Sequence, residues 1–126
     1  MDSKLKIHME YPINCSVPVL FNRLSTASGL SEWFADNVNV KGSDYTFVWD
    51  GADQTAEMIQ KKDGKLVRFH WKDDDDESYF EFNINRDELT GDVSLVITDF
   101  QEADEKDETI ELWNSQVADL RRVLGC

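Results

Sequence analysis

Basic residues are scarce in this chain of 126 residues: 13 Lys and Arg stand against 26 Asp and Glu, a formal net charge of −13. Such a surface repels phosphate backbones and anionic bilayers, so no nucleic acid and no membrane insertion is expected. Strong acidity also keeps a small protein dispersed, and that solubilising role is the reading we take for most of it. Long apolar runs are absent as well. Nowhere do about 18 apolar residues follow one another, as a bilayer-spanning helix requires. From Met1 to Tyr11, Lys4, Lys6 and His8 interrupt Leu5, Ile7 and Met9, leaving no apolar segment for a secretory leader. A cytoplasmic protein is the expectation. Only two cysteines occur, Cys15 and Cys126, in no C-x-x-C or Cys/His spacing. In a reducing compartment they are expected as two free thiols, with no metal and no cofactor. Catalytic signatures are missing too. There is no G-x-S-x-G elbow, phosphate-binding loop, H-E-x-x-H or Cys/His pair, so the chain does not read as an enzyme.

What is present is globular. Hydrophobic residues make up 40% and aromatics 11%, and residues 1–126 read as one domain large enough for a core without disulfide or metal support. Leu5, Ile7, Met9 and Tyr11 alternate with Lys4, Lys6, His8 and Glu10, the period of a half-buried strand, which Pro12 should end. Ser16 offers an N-cap with Pro18 in the first turn, and Leu20, Phe21 and Leu24 form the stripe of a short helix. Thr26 can cap a second helix in which Leu30, Trp33 and Phe34 share a face.

From Val38 the period returns to two, in strands separated by tight turns. Asp50-Gly51 is a strong hairpin signal. Tyr45, Phe47 and Trp49 mark one apolar face, Val67, Phe69 and Trp71 another, then Phe80, Phe82 and Ile84, and finally Val93, Leu95 and Ile97. This is an antiparallel meander. The chain then changes period. Ile110, Trp113, Val117, Leu120 and Leu124 fall on one stripe of a long helix, acidic at its start, with Arg121 and Arg122 near its end and Gly125 as its stop. The fold class is α+β, in the order β-α-α-β-β-β-β-β-β-α. One helix covers about 10 Å of width, too little for the concave face of a six- or seven-stranded curled sheet. Tyr45, Phe47, Trp49, Met58, Phe69, Trp71, Phe80, Phe82 and Trp113 must fill the remaining space or line a chamber.

The segment Leu24-Ser25-Thr26-Ala27-Ser28-Gly29-Leu30-Ser31-Glu32-Trp33-Phe34 resembles the L-T-x-x-x-x-L-x-x-W-F stretch of the START-like, helix-grip superfamily, also called Bet v 1-like or SRPBCC. Within it, the branch homologous to the activator of the heat-shock-protein-90 ATPase is the nearest match. Val93 to Phe100 resembles that branch's last strand. The resemblance implies a helix-grip fold with a hydrophobic pocket between the curved sheet and the C-terminal helix, used across the superfamily for lipids, sterols and similar molecules.

Among polar residues, His8 and His70 sit opposite the apolar faces of their strands and should face solvent. Asp73 to Glu77 lacks the spacing of a calcium loop and reads as a solvated hairpin tip. Asp44, Glu57, Arg68 and Tyr11 are placed near the pocket mouth. The expected function is a non-catalytic binding module for a small apolar or amphipathic ligand. Trp33, Phe34, Trp49, Phe69, Trp71, Phe82 and Trp113 are its expected lining. A protein-interaction or chaperone-associated domain, with a protein partner, is the alternative.

Overall fold

The computed structural model describes residues 4–74 and 77–126. Strand β1 (Leu5–Pro12) is followed by helices α1 (Val17–Ser25) and α2 (Ala27–Leu30). Six strands follow: β2 (Asn37–Lys41), β3 (Asp44–Trp49), β4 (Ala52–Lys62), β5 (Leu66–Trp71), β6 (Phe80–Arg86) and β7 (Val93–Gln101). A single 3-10 turn (Ala103–Glu105) leads into α3 (Lys106–Leu124). The expected element order is therefore observed. The strands form one antiparallel sheet in the order β1-β7-β6-β5-β4-β3-β2, a meander from β2 to β7 with β1 added beside β7.

Local chemistry sets these boundaries. Ser16 caps α1 by accepting from the Val19 N–H, with proline in the first turn, and Thr26 caps α2 by accepting from the Gly29 N–H at 2.9 Å. The second helix stops earlier than its apolar stripe implies. Residues 31–34 continue it only as a turn, in which the Phe34 N–H still reaches the Leu30 carbonyl at 2.9 Å. Trp33 and Phe34 are thus delivered to the core by a turn. Asp50 and Gly51 have φ of 49° and 83°, the two positive values that a tight primed hairpin needs. A register shift between Met58 and Gln60 in the β4–β5 pairing marks a bulge, which bends and twists the strand locally.

The long helix buries Thr109, Trp113, Val117 and Leu120, while Ile110 and Leu124 lie half-buried at the margins of the stripe. Gly125 ends it with φ of 72°, its N–H on the Arg121 carbonyl. Phe47, Phe69, Phe82, Leu95 and Ile97 from the sheet, Leu20 and Leu24 from α1, and Val117 and Leu120 from α3 are fully buried. Most of the trough between sheet and helix is therefore packed solid.

The cysteine expectation is overturned. Cys15 and Cys126 are joined in a disulfide, with Cα atoms 6.1 Å apart despite 111 positions of separation. The cause is topological: the last turn of α3 returns to the end of β1, where the Arg121 guanidinium donates to the Pro12 carbonyl at 2.7 Å. Separation along the chain carries no information about that meeting. Among the described residues, no helix is long and apolar enough to cross a membrane.

Candidate functional site: an aromatic cleft beneath the long helix

Antiparallel connections return β3, β5 and β7 to the same end of the sheet at which β4 and β6 start. Trp49, Trp71, Gln101, Gln54 and Phe80 are therefore gathered at one end, and the first half of α3 lies above them. There the packing opens into a cleft of about 370 Å³ lined by Phe34, Trp49, Gln54, Trp71, Phe80, Asp99, Gln101, Thr109, Leu112, Trp113 and Gln116. That volume is at the small end of the range that holds small organic ligands. Leu112, on the outer flank of α3, is 59% exposed and marks the rim.

The rings are arranged in a definite order. Phe34 and Phe80 lie near-parallel with centroids 5.7 Å apart, and form the floor. Trp49 and Trp71, 6.2 Å apart, stand on the sheet side. Trp113 stands on the helix side, stacked on Phe34 at 5.7 Å and 14°. Indole and amide hydrogen bonds fix the walls. The Trp49 Nε1–H donates to the Phe34 carbonyl at 2.7 Å, and Gln116 donates to the same oxygen at 3.2 Å. At the rim, Gln54 Nε2 donates to Asp73 at 3.2 Å.

Asp99 is the one titratable side chain in this lining among the described residues. Its Oδ2 accepts from the Trp113 Nε1–H at 2.9 Å and its Oδ1 from the Phe100 N–H at 2.8 Å. Burial pushes its carboxyl pKa above the ordinary carboxylate value. The donors of Trp113, Phe100 and Gln101, and the charge of Lys4, pull the other way without cancelling it. The site thus combines π-faces with a held acceptor.

The expected lining divides in two. Phe34, Trp49, Trp71 and Trp113 line the cleft. Trp33, Phe69 and Phe82 do not. Phe69 and Phe82 are fully buried within the packed part of the trough. The Trp33 indole is turned to the Arg23 carbonyl, to which it donates at 2.8 Å. Gln54, Asp99, Gln101, Thr109, Leu112 and Gln116 were not among the expected residues, and Phe80 was expected to face inward without being named in the lining. A signal for several of them exists. Asp99 and Gln101 continue the inward parity of Val93, Leu95 and Ile97, and Thr109 and Gln116 lie at i−4 and i+3 from Trp113.

The polar groups placed near the mouth lie elsewhere. Tyr11 donates to Asn114 at 2.6 Å, Asp44 pairs with Lys72 at 3.0 Å, and Glu57 is exposed. Arg68 pairs with Glu81 at 2.8 Å and lies 4.0 Å over the Tyr79 ring. Arg68 occupies the opposite parity to the inward Phe69, which is why it cannot reach the cleft. His8 is exposed as expected. His70 is half-buried, with Nδ1 2.9 Å from the Ser78 carbonyl. Of the acidic tract, Asp75 and Asp76 lie outside the described residues, and Asp74 is ion-paired with Lys4. No group of three or more His, Cys, Asp or Glu among the described residues is placed to hold a metal.

A family model for the START-like superfamily domain matches residues 1–126. The chain belongs to the START-like superfamily. A Bacteroides fragilis protein solved by NMR in solution is 44% identical, with 96% of this chain and 91% of that one covered and a TM-score of 0.70. The Aha1 dimer from Colwellia psychrerythraea reaches a TM-score of 0.80 at 18% identity, covering 95% of this chain and 96% of that one. A Mesorhizobium loti protein in a crystal structure reaches 0.78 at 15% identity, with 96% and 97% covered. At those lower identities the likeness is one of fold. Among curated proteins, none matches this chain. START-like domains bind small hydrophobic ligands or proteins.

Proposed function

We propose that this START-like domain is a non-catalytic binding module that holds a small apolar or amphipathic molecule in the cleft between the sheet and α3. The observation that carries the reading is the coexistence, in one fold, of a solidly packed trough and an aromatic cleft left open at one end. A sequence that can fill most of a trough with Phe69, Phe82, Leu95 and Ile97 could fill all of it. Here it ends the packing with half-buried Trp49 and Trp71 beside the buried Trp113. A large indole surface left to water is unfavourable by roughly 25 cal/mol for every Å² that a ligand would cover.

The lining supports binding over bond chemistry. Among the described residues Asp99 is the one titratable group of the lining, and general acid–base work needs a group placed within hydrogen-bond reach of the reacting atoms. Its oxygens are instead occupied by donors that hold it in place. A cytoplasmic setting belongs to the same proposal, and the Cys15–Cys126 disulfide, of a kind rare in reducing compartments, is the observation that stands against it.

Thermal unfolding of the protein with a panel of aromatic dyes and fatty acids tests the reading, since any binder of the native state raises the midpoint. A rise with at least one class, lost in Trp71→Leu, is the expected result. An unchanged midpoint across the whole panel would overturn it and leave the protein-interaction alternative standing.

A further inference from the structure

The chemistry of the cleft goes further than apolarity. Trp113 makes ring contacts with Phe34, Phe80 and Phe82, whereas Trp49 and Trp71 contact Phe34, Phe47 and Phe80. No ring contact joins Trp113 to Trp49 or Trp71 among the described residues. Trp113 and the Trp49–Trp71 pair thus line one cleft and meet through the phenyl rings of Phe34 and Phe80. Each π-face carries negative charge density, and a cation within about 6 Å of several such faces is attracted to all of them.

The charge carried by the cleft lining is acidic. Among the described residues Asp99 is the sole ionisable group of the lining, and Gln54, Gln101, Thr109 and Gln116 are neutral. Asp73 lies at the rim against Gln54, and Asp107 and Glu108 follow Lys106 in the first turn of α3, two carboxylates to one ammonium. Among the described residues, no Lys, Arg or His lines the space. The basic charge that acts on Asp99 is that of Lys4, which is itself ion-paired with Asp74. An anionic headgroup entering here would meet carboxylates and no cation. A positively charged one would meet indole faces and Asp99, drawn in by the field of a chain of net charge −13.

We propose that the cleft selects organic cations: a quaternary or protonated alkylammonium carried on an apolar body, its charge held between the indole walls and Asp99. This rests on the binding-module reading above and narrows its ligand class. The apolar body lies along Phe34, Phe80 and the exposed flank of Leu112, and the charged end takes the place of water beside the carboxylate.

Three soluble probes of similar size decide it: benzyltrimethylammonium, its uncharged carbon isostere neopentylbenzene, and laurate. Their dissociation constants are measured on the disulfide-bonded protein by tryptophan fluorescence and calorimetry, at low and high salt. The cation is expected to bind about tenfold more tightly than the isostere, with an advantage that shrinks as salt rises. Asp99→Asn should erase much of that advantage while leaving the isostere's affinity in place. Should Asp99→Asn not fold, Trp71→Leu, altered at a half-buried position, is expected to weaken the cation more than the isostere. An isostere that binds as tightly as the cation, or laurate binding tightest, would overturn cation selectivity and leave the apolar module intact. Absence of binding by all three, with no shift in the unfolding midpoint, would overturn both.

Discussion

The Trp113 indole donates its Nε1–H to Asp99 Oδ2 at 2.9 Å while its ring stacks on Phe34. One side chain thus holds the helix to the end of β7 by a hydrogen bond and to the α2–β2 turn by a ring contact. Trp113 is only 5% exposed. Replacing it with alanine removes both ties and opens a cavity, with an expected loss of about 3–5 kcal/mol in urea unfolding. Trp113→Phe keeps the ring and leaves one carboxylate oxygen without its donor, for a loss of about 1–3 kcal/mol. An alanine variant within about 0.5 kcal/mol of the parent would place the indole on the surface instead.

Asp99 also makes stability depend on pH in a particular direction. Its carboxyl pKa is raised in the folded protein, with burial as the leading cause. The folded state therefore favours the protonated form more than the unfolded chain does. That contribution is fully present below the unfolded carboxylate pKa and is lost as pH rises through the folded one. Comparing parent and Asp99→Asn isolates the group, since asparagine does not titrate. The parent should lose stability relative to the variant as pH climbs from the ordinary carboxylate value upward, and the difference should level off once Asp99 is fully ionised. A difference that is flat, or of opposite slope, would contradict the assigned burial.

Much of this fold is legible in short stretches because short-range physics decides it. Ser16 and Thr26 cap helices where a hydroxyl precedes an apolar stripe, Asp50-Gly51 turns where two positive φ values are needed, and Trp113, Val117 and Leu120 recur at helical spacing. The site is less legible. Phe80 and Phe82 have the same parity on β6, so alternation cannot separate them. Two residues advance about 7 Å along a strand, enough to move from the edge of the cleft to the packed interior. Which is which depends on where α3 crosses, and no local pattern encodes that. Asp99 is the opposite case. Its inward parity with Leu95 and Ile97 is visible in the alternation, and a carboxylate in an apolar series is the signal that marks it as a candidate site residue. The disulfide was illegible for the reason Phe80 was: it depends on a crossing between the first and last elements.

That covalent link carries its own prediction. Joining Cys15 to Cys126 closes a loop over a separation of 111 residues, nearly the whole chain, and thereby restricts the unfolded ensemble. The chain-entropy model gives about 4–5 kcal/mol for a loop of this length, the upper part of the usual range. Cys15→Ser, Cys126→Ser and the double variant should all lose the same stability, because each removes one and the same link. Under denaturing, non-reducing conditions no thiol should react with an alkylating agent. Uptake of two labels would show the cysteines unpaired.

Gly29 offers a prediction in which two physical effects have opposite signs. Alanine is the better helix former by about 0.8–1.0 kcal/mol, so propensity alone says that Gly29→Ala stabilises α2. Its surroundings say otherwise. A methyl group at Gly29 would fall 2.7 Å from the Arg23 Cα and 2.8 Å from the Thr26 Oγ1, and would strike the Asn22 carbonyl oxygen. Two of these are backbone atoms of α1 that cannot swing aside, and the third is the hydroxyl that caps α2. The two helices must separate. That displacement reaches the cleft, because Trp33 is anchored to the Arg23 carbonyl at 2.8 Å and its neighbour Phe34 forms the floor. Steric cost should prevail, with a net loss of about 1–3 kcal/mol and a weaker affinity for any ligand that rests on Phe34. A gain in stability would mean that α1 and α2 are not held this close.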